Sequence, residues 1–358
     1  MNGSENFCPS STEEKRRRAV GFWLLAVALV ILAMVTIGGL TRLTGSGLSI
    51  TQWDPIMGAI PPLNDAAWAD AFAKYRLIPQ YIVENRGMTL EGFKGIFWWE
   101  WSHRLLGRLL GVLFLVPFLW FAATGAIRRA DWPRMLLLFA LGGLQGFIGW
   151  WMVASGLEVR TSVSQYRLAI HLGTALLLLV AILWIALEYL RGEAGKGNAK
   201  RAFAFAGCVY VQMLLGALVA GLHAGLIYNT WPDMNGRVLP EDPFFSQPWW
   251  INFFENPGLA QFDHRIGAYI VAAFAAFIYV RGIKLTGAAK ISAKTVAAIT
   301  TFQIGLGITT LLLQAPEALA AAHQVTAACL LCAAVWHAFE LRRLPLAGLS
   351  SPASANAK

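Results

Sequence analysis

"EWSHRLLGRLLGVLFLVPFLWFAATGAI", residues 100–127, runs from a glutamate, a histidine and two arginines straight into an apolar tract. A charge near the bilayer centre costs at least about 2.5–3.5 kcal/mol, so ionisable groups at the mouth of such a tract are candidates for function. The tract is also long enough to cross a hydrocarbon core, which takes about 20 predominantly apolar residues. The stretch reads as a membrane span headed by reactive side chains. "FDHRIGAYI" (262–270) opens another apolar run with the same His-Arg pair.

Working outward, the whole chain has this character. Hydrophobic residues make up 57% of its 358 positions and charged residues 14%, a balance expected of a polytopic membrane protein rather than a soluble one. Eight runs are long enough to span: 19–40, 103–127, 133–155, 166–190, 201–224, 264–285, 293–314 and 318–341. The expected fold is all-α with eight transmembrane helices. The first run lacks a small-residue cleavage site followed by a soluble domain, so it reads as a span and not as a cleavable signal peptide.

Orientation follows from the Lys/Arg bias of the connections. "EKRRR" precedes the first run, "IRRADWPR" joins the second and third, and "LRGEAGKGNAKR" joins the fourth and fifth. "VRGIKLTGAAKISAK" joins the sixth and seventh, and "ELRRL" follows the eighth. With eight alternating spans all five fall on one side, so both termini are expected in the cytoplasm. The net charge of +9 is then a matter of topology and calls for no nucleic-acid partner. Of the four cysteines, Cys8 is expected in the cytoplasm and Cys208, Cys329 and Cys332 lie in spans. The C-x-x-C spacing of the last two reads as packing inside a helix.

The chain repeats itself, in order. "IGGLTRLTGSGLSITQWDPIMGAIPP" (37–62) resembles "VAGLHAGLIYNTWPDMNGRVLPE" (219–241), and "HRLLGRLLG" (103–111) parallels "HRIGAYIVA" (264–272). "LQGFIGWWM" (144–152) parallels "FQIGLGITT" (302–310), and "AIHLGTALLLLVAILW" (169–184) parallels "AAHQVTAACLLCAAVW" (321–336). A four-helix unit duplicated in tandem is expected, its copies related by an axis along the membrane normal. The divisions are an N-terminal tail (1–18), a first bundle (19–190), a linker (191–200), a second bundle (201–341) and a C-terminal tail (342–358). The two long outer loops, 41–100 and 225–263, are expected to form lids. Within the first, "DAAWADAFAKYRLI" and "TLEGFKGIFWWEW" read as amphipathic helices lying along the membrane surface.

Four of the six histidines fall at matching places in the repeat. His103 and His264 start the second and sixth runs, and His171 and His323 lie about one turn into the fourth and eighth. These runs all point inward, and at 1.5 Å rise per residue the four imidazoles share one depth near the outer face. Two neutral imidazoles facing each other across a bundle can hold a haem iron. Zinc fits less well, because it wants four converging ligands. Gly107, Gly111, Gly173 and Gly267 lie near the histidines where missing side chains would admit a flat macrocycle. Arg104 and Arg265 follow two of the ligands, and a guanidinium fork matches a propionate. His223 and His337 break the pattern and read as structural or surface residues; Gln145 and Gln303 read as helix–helix hydrogen-bonding residues. Glu100 shares a helical face with His103, whereas the corresponding position in the second half is Gln261. One half is thus expected to do chemistry and the other to transfer electrons.

Taken together, "TRLTGSGLSITQWDPIMGAIPP", "EWSHRLLGR", "NTWPDMNG" and "DHRIGAY" resemble the haem A synthase family over nearly the whole chain. The resemblance implies oxidation of the C8 methyl of haem O to a formyl group, by two hydroxylations and loss of water from the geminal diol. It further implies that His103 and His171 bind the substrate haem, that His264 and His323 bind a haem b cofactor, and that Glu100 is the catalytic carboxylate. The loop cysteine pair of some members is missing from 41–100, which places the chain with the proteobacterial and mitochondrial branch. An inner-membrane location with haem sites near the periplasm is implied. Implied partners are membrane lipid, an electron donor, a haem O synthase and oxidase assembly factors, and a homo-oligomer is left open. Two rivals remain on the residues alone: a dihaem b electron-transfer cytochrome that oxidises quinol, and a transporter with parallel repeats.

Overall fold

The computed structural model describes residues 11–345, so Cys8 lies outside the described residues. In chain order, α1 (Ser11–Leu43) is followed by α2 (Asp65–Tyr75) and α3 (Pro79–Val83), then by α4 (Leu90–Ala123), α5 (Trp132–Ala154) and α6 (Gln165–Arg191). After the linker come α7 (Lys200–Gly221), α8 (Asn252–Glu255), α9 (Pro257–Gly282), α10 (Gly287–Leu312) and α11 (Glu317–Arg343). Among the described residues, eight helices are long and apolar enough to cross a membrane: α1, α4, α5, α6, α7, α9, α10 and α11. No strand forms there beyond an isolated bridge between Met234 and Arg237. The expected all-helical, eight-span membrane fold is what the chain adopts.

One expectation is corrected. The segment "TLEGFKGIFWWEW" is not a separate surface helix but the beginning of α4. Nothing breaks the helix there. Thr89 caps it by accepting the Gly92 N–H at 3.2 Å, and each interior glycine costs only about 1 kcal/mol of helix propensity. Phe93 and Phe97 then bury one face of this extension against Trp68 of α2. Glu100 and His103 therefore lie inside a 34-residue helix and not at its start. By contrast "DAAWADAFAKY" does form its own helix, capped by the Asn64 side chain accepting from Ala67 N–H at 2.9 Å.

Helix α1 packs on α4 and α6, and α5 packs on both α4 and α6, so these four close into a ring. Helices α7, α9, α10 and α11 close in the same sequence of contacts. The rings meet where α6 touches α7 and α1 touches α11. Lipid offers no hydrophobic drive for helix association, so close approach through small residues does this work. A Cβ on Gly221 of α7 would stand 2.5 Å from the Gln165 Cβ of α6, and one on Gly39 of α1 would collide with the Gln324 amide of α11. Gln324 uses that closeness to donate to the Val35 carbonyl at 2.8 Å.

The basic end of the molecule is tied by ion pairs: Arg128 to Asp131 and Glu193, Arg134 to Glu188, and Arg191 to Glu340. There the linker is held by Gly197 N–H donating to the Arg342 carbonyl at 2.8 Å. At the opposite end, where the four histidines are, the long loops lie against α4 and α9.

Candidate functional site

His103, His171, His264 and His323 all line one cavity of about 1300 Å³. Each ring rests on a glycine of a neighbouring span. A Cβ on Gly38 would stand 2.8 Å from His103 Cε1, on Gly149 3.0 Å from His171, on Gly216 3.1 Å from His264 and on Gly307 2.7 Å from His323. At Gly38 and Gly307 a side chain would displace the imidazole, and at Gly149 and Gly216 it would crowd it.

The His264 and His323 rings lie with centroids 6.4 Å apart and planes at 78°. A metal–imidazole bond is about 2 Å, so two rings on opposite sides of one metal bring their centroids to roughly 6 Å. The pair therefore fits a shared iron. Among the described residues no three His, Cys, Asp or Glu side chains converge as a metal cluster. In the first half the cavity wall includes Gly111 of α4 and Gly142, Gly143 and Gly146 of α5. A Cβ at any of these would meet nothing within 4 Å, so this wall has room for a flat ring. The three α5 glycines are also exposed, so the cavity opens sideways on an apolar face. The donor set, the glycine cradles and the open wall together fit haem.

Three glycine expectations change. Gly267 makes room for the Gln212 amide and Gly173 for the Tyr210 hydroxyl, while Gly107 faces the Met34 methyl; of the four named, Gly111 has open space beside it.

Glu100 is 2% exposed and lines the cavity. Its Oε2 accepts from Ser49 Oγ and from the Ile50 N–H, both at 2.8 Å. Its Oε1 accepts from Arg104 Nε at 3.0 Å and Nη2 at 2.6 Å. Every partner is a donor, the pattern that an ionised carboxylate completes. Arg104 also donates to the carbonyls of Gln52 and Ile50, and Arg108 to those of Asp54 and Pro55. The first loop is thereby strapped along α4. In the other ring Gln261 donates to the Ala224 and Tyr228 carbonyls, and Arg265 donates to Gln261 Oε1 and to the carbonyls of Tyr228 and Asp233. Both long outer loops are thus held by residues just before and just after His103 and His264.

Arg104 and Arg265 line the cavity, yet most of their donors are committed to these straps. Arg42, at the end of α1, lines the same cavity, and its guanidinium makes no hydrogen bond or ion pair among the described residues. Reasoning from the sequence passed it over, although "GGLTRL" already places an arginine at the end of a span. His223 also lines the cavity. Burial first, and the Arg42 guanidinium second, push its imidazole below the ordinary range. His337 is buried and bonded to Ser292 at 2.9 Å, a structural role as expected. Cys208, Cys329 and Cys332 are free thiols.

Three glutamines reach the histidines. Gln145 Nε2 donates to the His171 carbonyl at 2.8 Å and lies 3.1 Å from its Nδ1. Gln303 donates to the His323 carbonyl at 2.9 Å and lies 3.4 Å from its Nε2. Both were expected to bond helix to helix, and they do. Gln212, which went unnoticed, donates to the His264 carbonyl at 2.8 Å and lies 3.0 Å from Nδ1. Its signal was the shared pattern of a glutamine one turn before a glycine.

Against known proteins, residues 21–335 match the family described as cytochrome oxidase assembly protein, of the COX15-CtaA type. The chain is 48% identical to the Heme A synthase of Parvibaculum lavamentivorans over 333 residues, 92% of this chain and 96% of that one. It is 50% identical to the Heme A synthase of Brucella anthropi over 92% of this chain and 93% of that one. It is also 50% identical to that of Allorhizobium ampelinum over 91% of each.

Proposed function

Since the chain belongs to the haem A synthase family, we propose that it oxidises the C8 methyl of haem O to a formyl group, with the substrate iron between His103 and His171. His264 and His323 hold a haem b cofactor in the second half. It is a multi-pass membrane oxidoreductase. The observation that carries the division of labour is the single cavity lined by two imidazole pairs, with a carboxylate beside one pair and an amide beside the other. A dihaem electron carrier has no use for that asymmetry.

A methyl C–H is inert to side-chain acids and bases, and a bound haem supplies the one-electron chemistry that they lack. The chain's own contribution is placement and charge. Glu100, held by four hydrogen bonds, presents a fixed negative charge at the cavity wall, where it stabilises developing positive charge or takes a proton from the reacting carbon's hydroxyl. Because Arg104 and the Ile50 amide hold the carboxylate, it does not have to reorganise during reaction. Arg42 is the guanidinium with all its donors left for a propionate, and Arg104 and Arg265 each add what the straps leave over. The open, apolar face at Gly142, Gly143 and Gly146 suits the prenyl-derived tail of haem O and lets it pass to and from lipid.

The membrane is the inner membrane, with both termini in the cytoplasm and the histidines towards the periplasm, as the Lys/Arg bias of the connections supports. An electron donor, a haem O synthase and oxidase assembly factors are the partners this chemistry calls for. The test is haem content: the purified protein should hold haem b, and on incubation with haem O, a reductant and oxygen, extraction should recover haem A. Two permanent haem b groups with no formyl product would refute the reading.

A further inference from the structure

Each of the four imidazoles sits against a glycine, and the residue one turn before that glycine is a glutamine in three cases. The segments are "QGFIG" (145–149) against His171, "QMLLG" (212–216) against His264 and "QIGLG" (303–307) against His323. Against His103 the segment is "MVTIG" (34–38), with methionine in the glutamine's place. The substitution is spatial as well as sequential. The Met34 methyl stands 3.5 Å from where a Cβ of Gly107 would be, one turn past His103, much as the Gln212 amide fills the space at Gly267 just past His264. His103 Nδ1 is buried with no hydrogen-bond partner. His323 Nδ1 is also unpartnered, but that ring has the Gln303 amide beside its other nitrogen.

An amide at the remote nitrogen of a ligating imidazole holds the ring in orientation, and it does so as donor or, after a half-turn, as acceptor of an N–H. A thioether donates nothing and accepts weakly. Removing such a partner typically lowers metal affinity about 10–100-fold. The two sites have opposite needs. A cofactor must stay bound through every turnover, whereas a substrate must leave once it has become product.

We propose that Met34 makes His103 the releasable ligand: the substrate haem is held firmly through His171 and loosely through His103, while the cofactor is held firmly through His264, whose Nδ1 has the Gln212 amide beside it. This rests on the assignment of the two haem positions above. Met34 and the three glutamines are positioning residues, acting through the imidazoles.

The test uses the full-length protein in detergent, loaded with haem O, and follows haem transfer to excess apomyoglobin by absorbance, with haem type identified by extraction. Met34→Gln should slow transfer of haem O by about 10–100-fold, while transfer of haem b keeps the parent rate. Gln212→Met is the mirror experiment and should speed loss of haem b by a similar factor. A Met34→Gln rate within twofold of the parent overturns the proposal; should that variant fail to fold, an unchanged haem b rate in Gln212→Met overturns it instead. His103→Ala separates the two layers of inference. If it leaves the spectrum of bound haem O unaltered, the ligand assignment itself has failed; if it removes that spectrum while Met34→Gln changes nothing, only the role of Met34 has failed.

Discussion

Replacing Glu100 with glutamine turns one acceptor into a donor in a pocket lined by donors. However the amide turns, its NH2 faces either the Ile50 N–H or the Arg104 guanidinium, each within 3.0 Å of the present oxygens. With the NH2 towards Ile50, the Ser49 hydroxyl can rotate to accept, but the Ile50 N–H is left without a partner, at about 1–3 kcal/mol. The ion pair is lost as well. Its side chains are 3% and 14% exposed, and breaking a buried pair costs about 3–5 kcal/mol. The lower end applies here, since Arg104 keeps two backbone carbonyls. A total of about 4 kcal/mol, taking the lower end of each, corresponds to about a thousandfold in the opening of the strap around residues 49–55. Hydrogen exchange of that segment in Glu100→Gln should accelerate by that factor, formyl product should cease, and the haem at His264 and His323 should remain. Unchanged protection together with normal turnover would refute this reasoning. The reciprocal change is equally specific. Gln261 donates to two carbonyls, so Gln261→Glu sets a carboxylate against them, loosens the second loop and creates no second formylating site.

Other outcomes follow from the same geometry. His264→Ala and His323→Ala should each abolish the haem b spectrum while circular dichroism stays helical; a retained spectrum would show the halves to be misassigned. Gly307→Ala puts a methyl 2.7 Å from His323 Cε1, against α10 backbone that cannot retreat, so haem b per protein should fall well below the parent's on extraction. Arg42→Leu should weaken retention of haem O by about 10–100-fold, the scale of one charge-assisted pair at about 1.5–3 kcal/mol, with span packing intact by thermal unfolding; equal retention would remove Arg42 from propionate binding.

Much of this site is legible in the chain itself, for reasons that differ residue by residue. His103 and Glu100 share a face because they are three residues apart on one helix, and that relation holds whatever the helix packs against. Gln145 and Gln303 could be paired because the repeat aligns them. Gln212 escaped because its partner helix begins 45 residues later, and because no counterpart stands opposite it in α1. The repeat register that sets 37–62 beside 219–241 would match Gly38 to Ala220, whereas contact with the imidazoles matches it to Gly216. The shift is one helical turn, invisible to a pattern that scores similarity and not touch. The surface helix expected at 89–101 went wrong for another reason. Periodicity reports which face of a helix is apolar, but not whether the next helix is the same one continued.

Run lengths of apolar residues, the side on which Lys and Arg cluster, and the spacing of glutamate, histidine and arginine along one helix are properties of contiguous chain. The sequence therefore determined by itself the eight spans, the helical class and the four imidazoles as candidates. Which atom each of those groups touches is set by segments that meet across 26 residues for Gln145 and His171, 52 for Gln212 and His264, and 51 for Ser49 and Glu100. Only the packed structure decided that Arg104 belongs to a strap, that Arg42 stands unpaired in the cavity, and that a thioether lies where three amides lie elsewhere. Hydrogen bonds reach about 3 Å, and no local pattern carries information at that precision between helices so far apart in the chain.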